Sequence, residues 1–218
     1  MVGLADGSLV QGLTWVHLCH EQEFLGGISL FTKESAWRIS TKRVVVIGIG
    51  AVLYGLLSYA TNFIPVAGNS LRPAIVILTL LAAWYGPLVG FFAGAIGSFL
   101  TDLLAGQIYP HWEIGNGIIG LIAGLIYLFS DFDLDRGLVK GKHYILIAVL
   151  NIAGNIVGLV LPSLIDWATG TPFLTAVVSW ALIPALVNSA WVVTLGLALL
   201  AAVSRRRKTG ENLQVGAS

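Results

Sequence analysis

The chain has 218 residues, of which 56% are hydrophobic and 11% are charged, and its mean hydropathy is +0.86. Soluble domains carry about 25% charged residues, so this composition predicts an integral membrane protein and excludes an ordinary soluble domain. The formal net charge is +1, and Cys19 is the single cysteine, which excludes an intramolecular disulfide and a cysteine-based metal cluster.

Residues 1–40 mix charged residues with short apolar patches, and they lack the basic start and apolar core of a signal peptide. We expect an N-terminal extension that is disordered or interfacial; an amphipathic functional arm is the alternative. Apolar segments long enough to cross a bilayer follow at 43–60, 88–104, 114–130, 144–161 and 179–203. The sequence therefore divides into the extension, a transmembrane domain at 41–205 and a basic cytoplasmic tail at 206–218.

The apolar run between Arg72 and Asp102 decides the topology. As one helix it would be about 46 Å long, whereas the hydrocarbon core of a bilayer is about 30 Å thick. Gly86 and Pro87 interrupt the run, and proline both lacks an N–H and restricts the residue before it. The pattern predicts a hairpin with a short helix at 73–85 and a second helix at about 88–104.

The distribution of basic residues supports this hairpin. With six helices and a cytoplasmic N-terminus, eleven of the twelve basic residues lie on the inner side, and Arg72 alone lies outside. With one long helix instead, the basic loop at 131–142 and the tail at 205–208 would face outward, against the positive-inside rule. We therefore predict an all-α membrane protein with six transmembrane helices and both termini in the cytoplasm.

Polar side chains in the later helices indicate a binding pocket. Asn151 and Asn155 are four residues apart and share a helix face, and Asn188 follows Trp180 at helical spacing. Asn116 lies near the outer end of its helix. If these faces converge, they form an outward pocket for a neutral, partly aromatic small molecule. The alternative is that each amide forms a hydrogen bond between helices.

Arg72 and Asp102 each end a helix at the predicted outer boundary. They are predicted to pair and so to connect the loop before the hairpin to its second helix; independent solvation is the alternative. Ala51 and Gly55 form a small-xxx-small pair that fits either internal packing or the docking of a partner membrane protein.

Several activities have no sequence support. No G-x-x-x-x-G-K-[ST] element is present, so the chain is not expected to hydrolyse ATP. The sequence has neither the H-E-x-x-H helix of a metalloprotease nor a Ser–His pair within an apolar segment. We expect no enzymatic activity, no metal site and no cofactor, and the basic residues at 205–208 are explained as a topology signal.

One part of the chain resembles a known family. Residues 62–73 read N-F-I-P-V-A-G-N-S-L-R-P, residues 84–102 read W-Y-G-P-L-V-G-F-F-A-G-A-I-G-S-F-L-T-D, and residues 111–124 read H-W-E-I-G-N-G-I-I-G-L-I-A-G. These segments resemble the substrate-binding S components of energy-coupling factor (ECF) vitamin transporters, in the riboflavin-transporter-like group. The resemblance covers about residues 42–205, and the block ending at Asp102 is its most specific part.

The resemblance implies six helices, capture of a vitamin from outside, and docking onto a transmembrane coupling subunit with two ATPase subunits in the plasma membrane. It places the gate of the pocket in the loop after the first helix, at Asn62, Asn69 and Arg72. It implies ligand contacts from the outer ends of the last three helices, at Trp112, Asn116, Asn151, Asn155, Trp180 and Asn188. It assigns partner docking to the first helix, where Ala51 and Gly55 match the family's Ala-x-x-x-Ala motif as small residues.

The ligand stays open between a flavin and a larger micronutrient such as cobalamin, because one fold can bind unlike molecules. Two other functions also remain: a stand-alone facilitator or carrier for a neutral small molecule, and a membrane scaffold without transport activity. The absence of charged residues deep in the helices argues against ion coupling in a carrier, although it leaves passive transport open.

Overall fold

The computed structural model describes residues 34–61, 65–66, 69–70 and 72–215, which are almost entirely helical. Five helices precede the last one: α1 (Thr41–Thr61), α2 (Ile75–Tyr85), α3 (Pro87–Leu104), α4 (Pro110–Ala123, extended by the 3₁₀ turn Gly124–Leu128) and α5 (Gly141–Ala168). The last helix, α6, is continuous and consists of Leu174–Leu182, Ile183–Trp191, Val192–Gly196 and Leu197–Val215. A 3₁₀ turn at Glu34–Trp37 precedes α1, and a two-residue β-hairpin pairs Pro65–Val66 with Asn69–Ser70.

Five of the described helices are long and apolar enough to cross a membrane. They are α1, α3, α4 with its 3₁₀ extension, α5 and the part of α6 at Leu174–Thr209. The sixth helix, α2, is also apolar but has only 11 residues. The predicted all-helical membrane architecture is therefore confirmed, with five helices of spanning length and one shorter apolar helix.

The break in the long apolar run is confirmed at the predicted place. Helix α2 ends at Tyr85 and α3 begins at Pro87, so only Gly86 separates them. Gly86 has φ = 103°, a backbone conformation that residues with side chains rarely adopt. The side chain of Ala82 lies against Gly90, and that of Leu78 lies against Gly94. This pairing shows that α2 and α3 run antiparallel.

Glycines bring the helix backbones together at three crossings. Gly55 lies against the carbonyl of Gly97 where α1 crosses α3, and Gly90 lies against the carbonyl of Gly120 where α3 crosses α4. The third crossing joins α4 to α5, where the carbonyl of Gly158 faces Gly115. A Cβ atom at any of these positions would collide with backbone, so the glycines serve internal packing.

The crossing of α1 and α3 also involves Ala51 and Gly55, the residues expected to dock a partner. Ala51 is 1% exposed, and its carbonyl lies against Gly97; Gly55 is buried at the same crossing. Both small residues are therefore covered by α3 of their own chain, which leaves no open surface at them for a partner helix. The described surface of α1 instead presents larger apolar side chains such as Ile49 and Leu56.

Helix α6 is irregular where it passes Pro184. Proline has no N–H to donate to the carbonyl four residues earlier, which belongs to Trp180. The segment before it, Leu174–Leu182, and a later one, Val192–Gly196, adopt π-helical hydrogen bonding. Such segments accommodate a disrupted hydrogen-bond ladder, and they occur frequently at functional sites. Farther along, α6 continues as a helix through the basic residues expected to form a separate tail.

One end of the bundle, which we call the basic end, gathers the starts of α1 and α5 and the ends of α2, α4 and α6. Asp131 there forms ion pairs with Lys140 at 3.4 Å and with Lys142, and it accepts a hydrogen bond from His143 at 3.1 Å. The hydrogen bond from Lys142, followed by those from His143 and Lys140, lowers the pKa of Asp131 well below its usual range. These contacts attach the α4–α5 loop to the start of α5.

The same loop contacts the end of α6 and the end of α2. Ser204 donates a hydrogen bond to the carbonyl of Gly137 at 3.1 Å. The indole N–H of Trp84 donates to Asp135 at 2.8 Å, while the Arg207 guanidinium lies 5.2 Å from the Trp84 ring centroid. The basic end is therefore held together by polar and cation–π contacts between distant parts of the chain.

Candidate functional site

At the opposite end of the bundle, which we call the cavity end, the helices enclose a cavity of about 420 Å³. It lies where α3 and α5 end and where α4 and α6 begin. Eleven of its fourteen lining residues have polar or charged side-chain groups, and two of these are tryptophans. The lining consists of Arg72, Ser98, Thr101, Asp102, Ala105, Gln107, Tyr109, Trp112, Asn116, Leu159, Asp166, Trp180, Pro184 and Asn188.

Five of the nine residues predicted to bind substrate line this cavity: Arg72, Trp112, Asn116, Trp180 and Asn188. They come from the residues just before α2, from the first two turns of α4 and from the first half of α6. A binding role for each of them remains a prediction, but the structure brings all five to one cavity of a size typical for small-molecule sites.

Asn116 is buried, and its amide connects three helices. Its Oδ1 accepts a hydrogen bond from the Tyr54 hydroxyl of α1 at 2.7 Å. Its Nδ2 donates to the Ser98 hydroxyl of α3 at 3.1 Å and to the Trp112 carbonyl of α4 at 2.9 Å. Both donors of the amide are engaged, so only the second lone pair of Oδ1 remains for a ligand. Asn116 thus supports the cavity wall at least as much as it presents a polar group.

Asn188 differs from Asn116, because its amide does not connect helices in the described part of the chain. Its side chain is 6% exposed and lines the cavity, and it forms no hydrogen bond with any residue of the described ranges. Its amide faces the cavity and has both donors and an acceptor free, so a ligand that supplies both a donor and an acceptor could bind there. Trp180 lies two turns before it on the same helix, is 39% exposed, and adds an aromatic surface beside the amide.

Arg72 and Asp102 both lie at the cavity, one before α2 and the other in the last turn of α3. The antiparallel hairpin brings these distant residues to the same end. Their direct pairing remains a prediction, and both side chains line the cavity.

Asp166 was not predicted as a site residue, although it forms the most specific polar contacts at the cavity. Its Oδ1 lies 2.9 Å from His111 Nε2, and its Oδ2 accepts a hydrogen bond from Trp112 Nε1 at 2.8 Å. His111 and Trp112 belong to the first turn of α4, whereas Asp166 belongs to the last turn of α5. One carboxylate therefore joins two helices at the mouth of the cavity.

Asn151 and Asn155 do not line the cavity. Their side chains are 1% and 0% exposed, and each Nδ2 donates at 2.8 Å to the carbonyl four residues earlier on α5. Neither Oδ1 has a hydrogen-bond partner within the described parts of the chain. Leu159, one turn nearer the cavity end, occupies the lining in their place. The residues of α5 that line the cavity are Leu159 and Asp166, and a binding role for Asn151 and Asn155 stays a prediction.

The expected gate falls mostly outside the described residues. Asn62 lies outside the described residues, and Asn69 is described only by its backbone, in the short strand Asn69–Ser70. The lining residues that sequence reasoning did not assign to the site are Ser98, Thr101, Ala105, Gln107, Tyr109, Leu159, Asp166 and Pro184. A local signal existed for Asp166, because a carboxylate in the last turn of a helix opposes the helix dipole and needs a compensating partner.

The described residues contain no group of three or more His, Cys, Asp or Glu side chains arranged to hold a metal ion. The hydroxyl groups at the cavity are engaged within the protein: Thr101 donates to the carbonyls of Gly55 and Gly97, Tyr109 donates to Gln107 Oε1, and Ser98 accepts from Asn116. The arrangement is therefore suited to reversible binding through amide, carboxylate, guanidinium and aromatic groups.

The chain is similar to known membrane proteins. Residues 38–205 match the family described as ECF-type riboflavin transporter, S component. A UPF0397 protein of Vibrio atlanticus is 36% identical over 176 residues, which cover 80% of this chain and 97% of that protein. UPF0397 proteins of Aliivibrio salmonicida and Photobacterium profundum are 35% and 34% identical, over 80% and 81% of this chain and 97% of each relative. The chain therefore belongs to the S component family of ECF-type riboflavin transporters, a family of membrane-embedded transporter subunits rather than enzymes.

Proposed function

We propose that this protein captures riboflavin, or a vitamin with a similar planar ring, and delivers it to ATP-hydrolysing partner subunits in the plasma membrane. The observation that carries the proposal is the amide of Asn188, which lines a cavity of about 420 Å³ and has no hydrogen-bond partner among the described residues. A planar heterocycle with adjacent donor and acceptor atoms would satisfy that amide, and Trp112 and Trp180 would contact its apolar faces.

The size and polarity of the cavity favour a flavin over cobalamin. A cavity of about 420 Å³ falls in the lower part of the range for small-molecule sites, and a corrinoid would leave most of its surface outside. Hydroxyl groups on a flavin side chain could donate to the Asp102 carboxylate and accept from Arg72, which lie on the same lining.

The proposed orientation has six membrane crossings, with α2 as the short one, and both termini in the cytoplasm. The basic end carries most of the basic residues, and the cavity lies at the opposite end. The positive-inside rule then directs the cavity outward, where it can take up a vitamin from the medium.

Energy coupling is assigned to partners: a transmembrane coupling subunit and two ATPase subunits. The sequence has no phosphate-binding loop, so the chain needs no nucleotide or other cofactor of its own in this account. Docking onto the coupling subunit would involve a surface other than Ala51 and Gly55, because α3 covers both of them.

The experiment that tests this function measures binding and uptake separately. We expect purified protein to bind riboflavin without ATP, observed as quenching of tryptophan fluorescence, and Asn188→Leu to weaken binding. Ser189→Ala on the neighbouring position is the control, because Ser189 donates to the carbonyl of Ala185 and is absent from the cavity lining.

Uptake of riboflavin by cells should require the ATPase subunits. Uptake that persists after all ATPase partners are deleted would contradict the proposal and support a stand-alone carrier. Failure of the purified protein to bind a vitamin would instead support a scaffold without transport activity.

A further inference from the structure

The carboxylate of Asp166 occupies an unfavourable place in its helix. It lies in the last turn of α5, where the unsatisfied carbonyl groups carry partial negative charge. Its side chain is 17% exposed, so solvent alone does not compensate the charge. The compensation comes from the first turn of α4, the positive end of that helix, across the mouth of the cavity.

Both carboxylate oxygens have partners on α4. Oδ2 accepts the indole N–H of Trp112 at 2.8 Å, and Oδ1 lies 2.9 Å from Nε2 of His111, whose side chain is 25% exposed. A hydrogen bond to a charged acceptor is stronger than one between neutral groups. The contact with His111 holds the carboxylate, and the contact with Nε1 fixes the edge of the Trp112 ring that carries the nitrogen.

The opposite side of Trp112 is fixed through its backbone. The carbonyl of Trp112 accepts a hydrogen bond from Asn116, whose amide is bound in turn to Tyr54 and Ser98. The indole ring packs against the main apolar core and also lines the cavity. Its orientation at the cavity is thus determined by Asp166 at the ring and by Asn116 at the backbone.

We propose that Asp166 is a positioning residue for the ligand: it holds the Trp112 indole in place as a wall of the cavity and affects affinity through that ring. The effect of Asp166 on ligand affinity rests on the proposed function. The orientation of Trp112 itself is independent of any ligand, so the two ideas can be tested separately.

The first test needs no ligand. Hydrogen exchange of indole N–H groups is followed by ¹⁵N NMR of the full chain in nanodiscs, with Trp112 assigned from the Trp112→Phe variant. In the unaltered protein, the Trp112 N–H should exchange about tenfold more slowly than that of Trp180, for which no partner is found among the described residues. Equal exchange rates for the two would overturn the proposal, and this comparison requires no Asp166 variant to fold.

A matched control exists at the basic end, where Asp135 accepts the indole N–H of Trp84 at the same distance of 2.8 Å. Leucine has about the same length as aspartate but no acceptor, so Asp166→Leu should accelerate exchange at Trp112 and leave Trp84 unchanged, whereas Asp135→Leu should do the reverse. Unchanged exchange at Trp112 in Asp166→Leu would also overturn the proposal.

The second test measures the dissociation constant of riboflavin in a double-mutant cycle. Asp166→Leu should raise Kd about tenfold, the loss expected for one charged hydrogen bond, and Asp135→Leu should leave Kd unchanged. In a Trp112→Phe background, Asp166→Leu should have little further effect, because its action passes through the indole. An equal loss in both backgrounds would show that Asp166 acts independently of Trp112 and would refute the positioning role.

The two tests fail separately. If riboflavin does not bind to the unaltered protein, the proposed function fails, and the exchange measurement alone decides whether Asp166 positions Trp112. If riboflavin binds but the exchange pattern is wrong, the proposed function stands and the positioning role fails.

Discussion

Replacing Asn116 should destabilise the protein even without a ligand, because its amide joins α1, α3 and α4. Asn116→Leu keeps four side-chain heavy atoms branched at Cγ and removes three hydrogen bonds: to Tyr54, to Ser98 and to the Trp112 carbonyl. Side-chain hydrogen bonds within membrane bundles contribute about 0.6 kcal/mol each on average. We therefore expect a loss of about 2 kcal/mol in the free energy of unfolding.

Tyr54→Phe is the comparison, since it removes only the contact of 2.7 Å from the Tyr54 hydroxyl to Asn116 Oδ1. Its expected cost is about 0.6 kcal/mol, roughly a third of the cost of Asn116→Leu. In the double variant the two effects should not add, because Asn116→Leu has already removed the partner of the Tyr54 hydroxyl.

The assay is reversible unfolding of the purified protein in mixed micelles, followed by circular dichroism without a ligand. Equal losses for the two single variants, or strict additivity in the double variant, would refute the view that Asn116 is a structural connection between helices. A normal stability combined with loss of riboflavin binding in Asn116→Leu would instead make Asn116 primarily a ligand contact.

Three further predictions concern packing, pH and charge. Gly120→Ala should lower thermal stability in detergent because its Cβ would meet the backbone of α3, whereas Gly48→Ala, whose Cβ would meet nothing within 4 Å, should leave it unchanged. Asp131→Asn should reduce stability at pH 7, because the pKa of Asp131 is lowered in the folded protein. The difference in stability between the two proteins should persist above about pH 4 and shrink as the pH falls further, which unfolding measured from pH 7 to pH 3 checks. If Arg72 and Asp102 pair, exchanging them in the double variant should restore riboflavin binding lost in each single variant, and failure of rescue in a titration would count against pairing.

The sequence was sufficient to predict the hairpin because its determinants are local. The length of the apolar run, the restriction imposed by Pro87 and the charge bias outside the run each limit the topology without tertiary information. The glycine spacing likewise predicted close helix approach. It did not show which helix approaches, so Ala51 and Gly55 could be assigned to a partner although α3 covers them.

The candidate site was predicted less completely, because periodicity defines a shared face but not the depth at which that face meets a cavity. Asn151 and Asn155 share one face of α5 with Leu159, but they lie farther from the cavity end than Leu159 does. At that depth their amides donate to carbonyls of their own helix. Asp166 and Trp112 are 54 positions apart, and their contact depends on how α4 and α5 cross. Contacts of this kind follow from tertiary packing, which a single sequence does not specify.

The central claim is that the chain alone retains a vitamin at the cavity end, and native mass spectrometry of the purified protein tests it most directly. After incubation with riboflavin in the absence of ATP and partner subunits, we expect a single adduct with the mass of riboflavin, with much lower occupancy in Asn188→Leu. The absence of a riboflavin adduct on the folded protein, or equal occupancy in Asn188→Leu, would contradict the account.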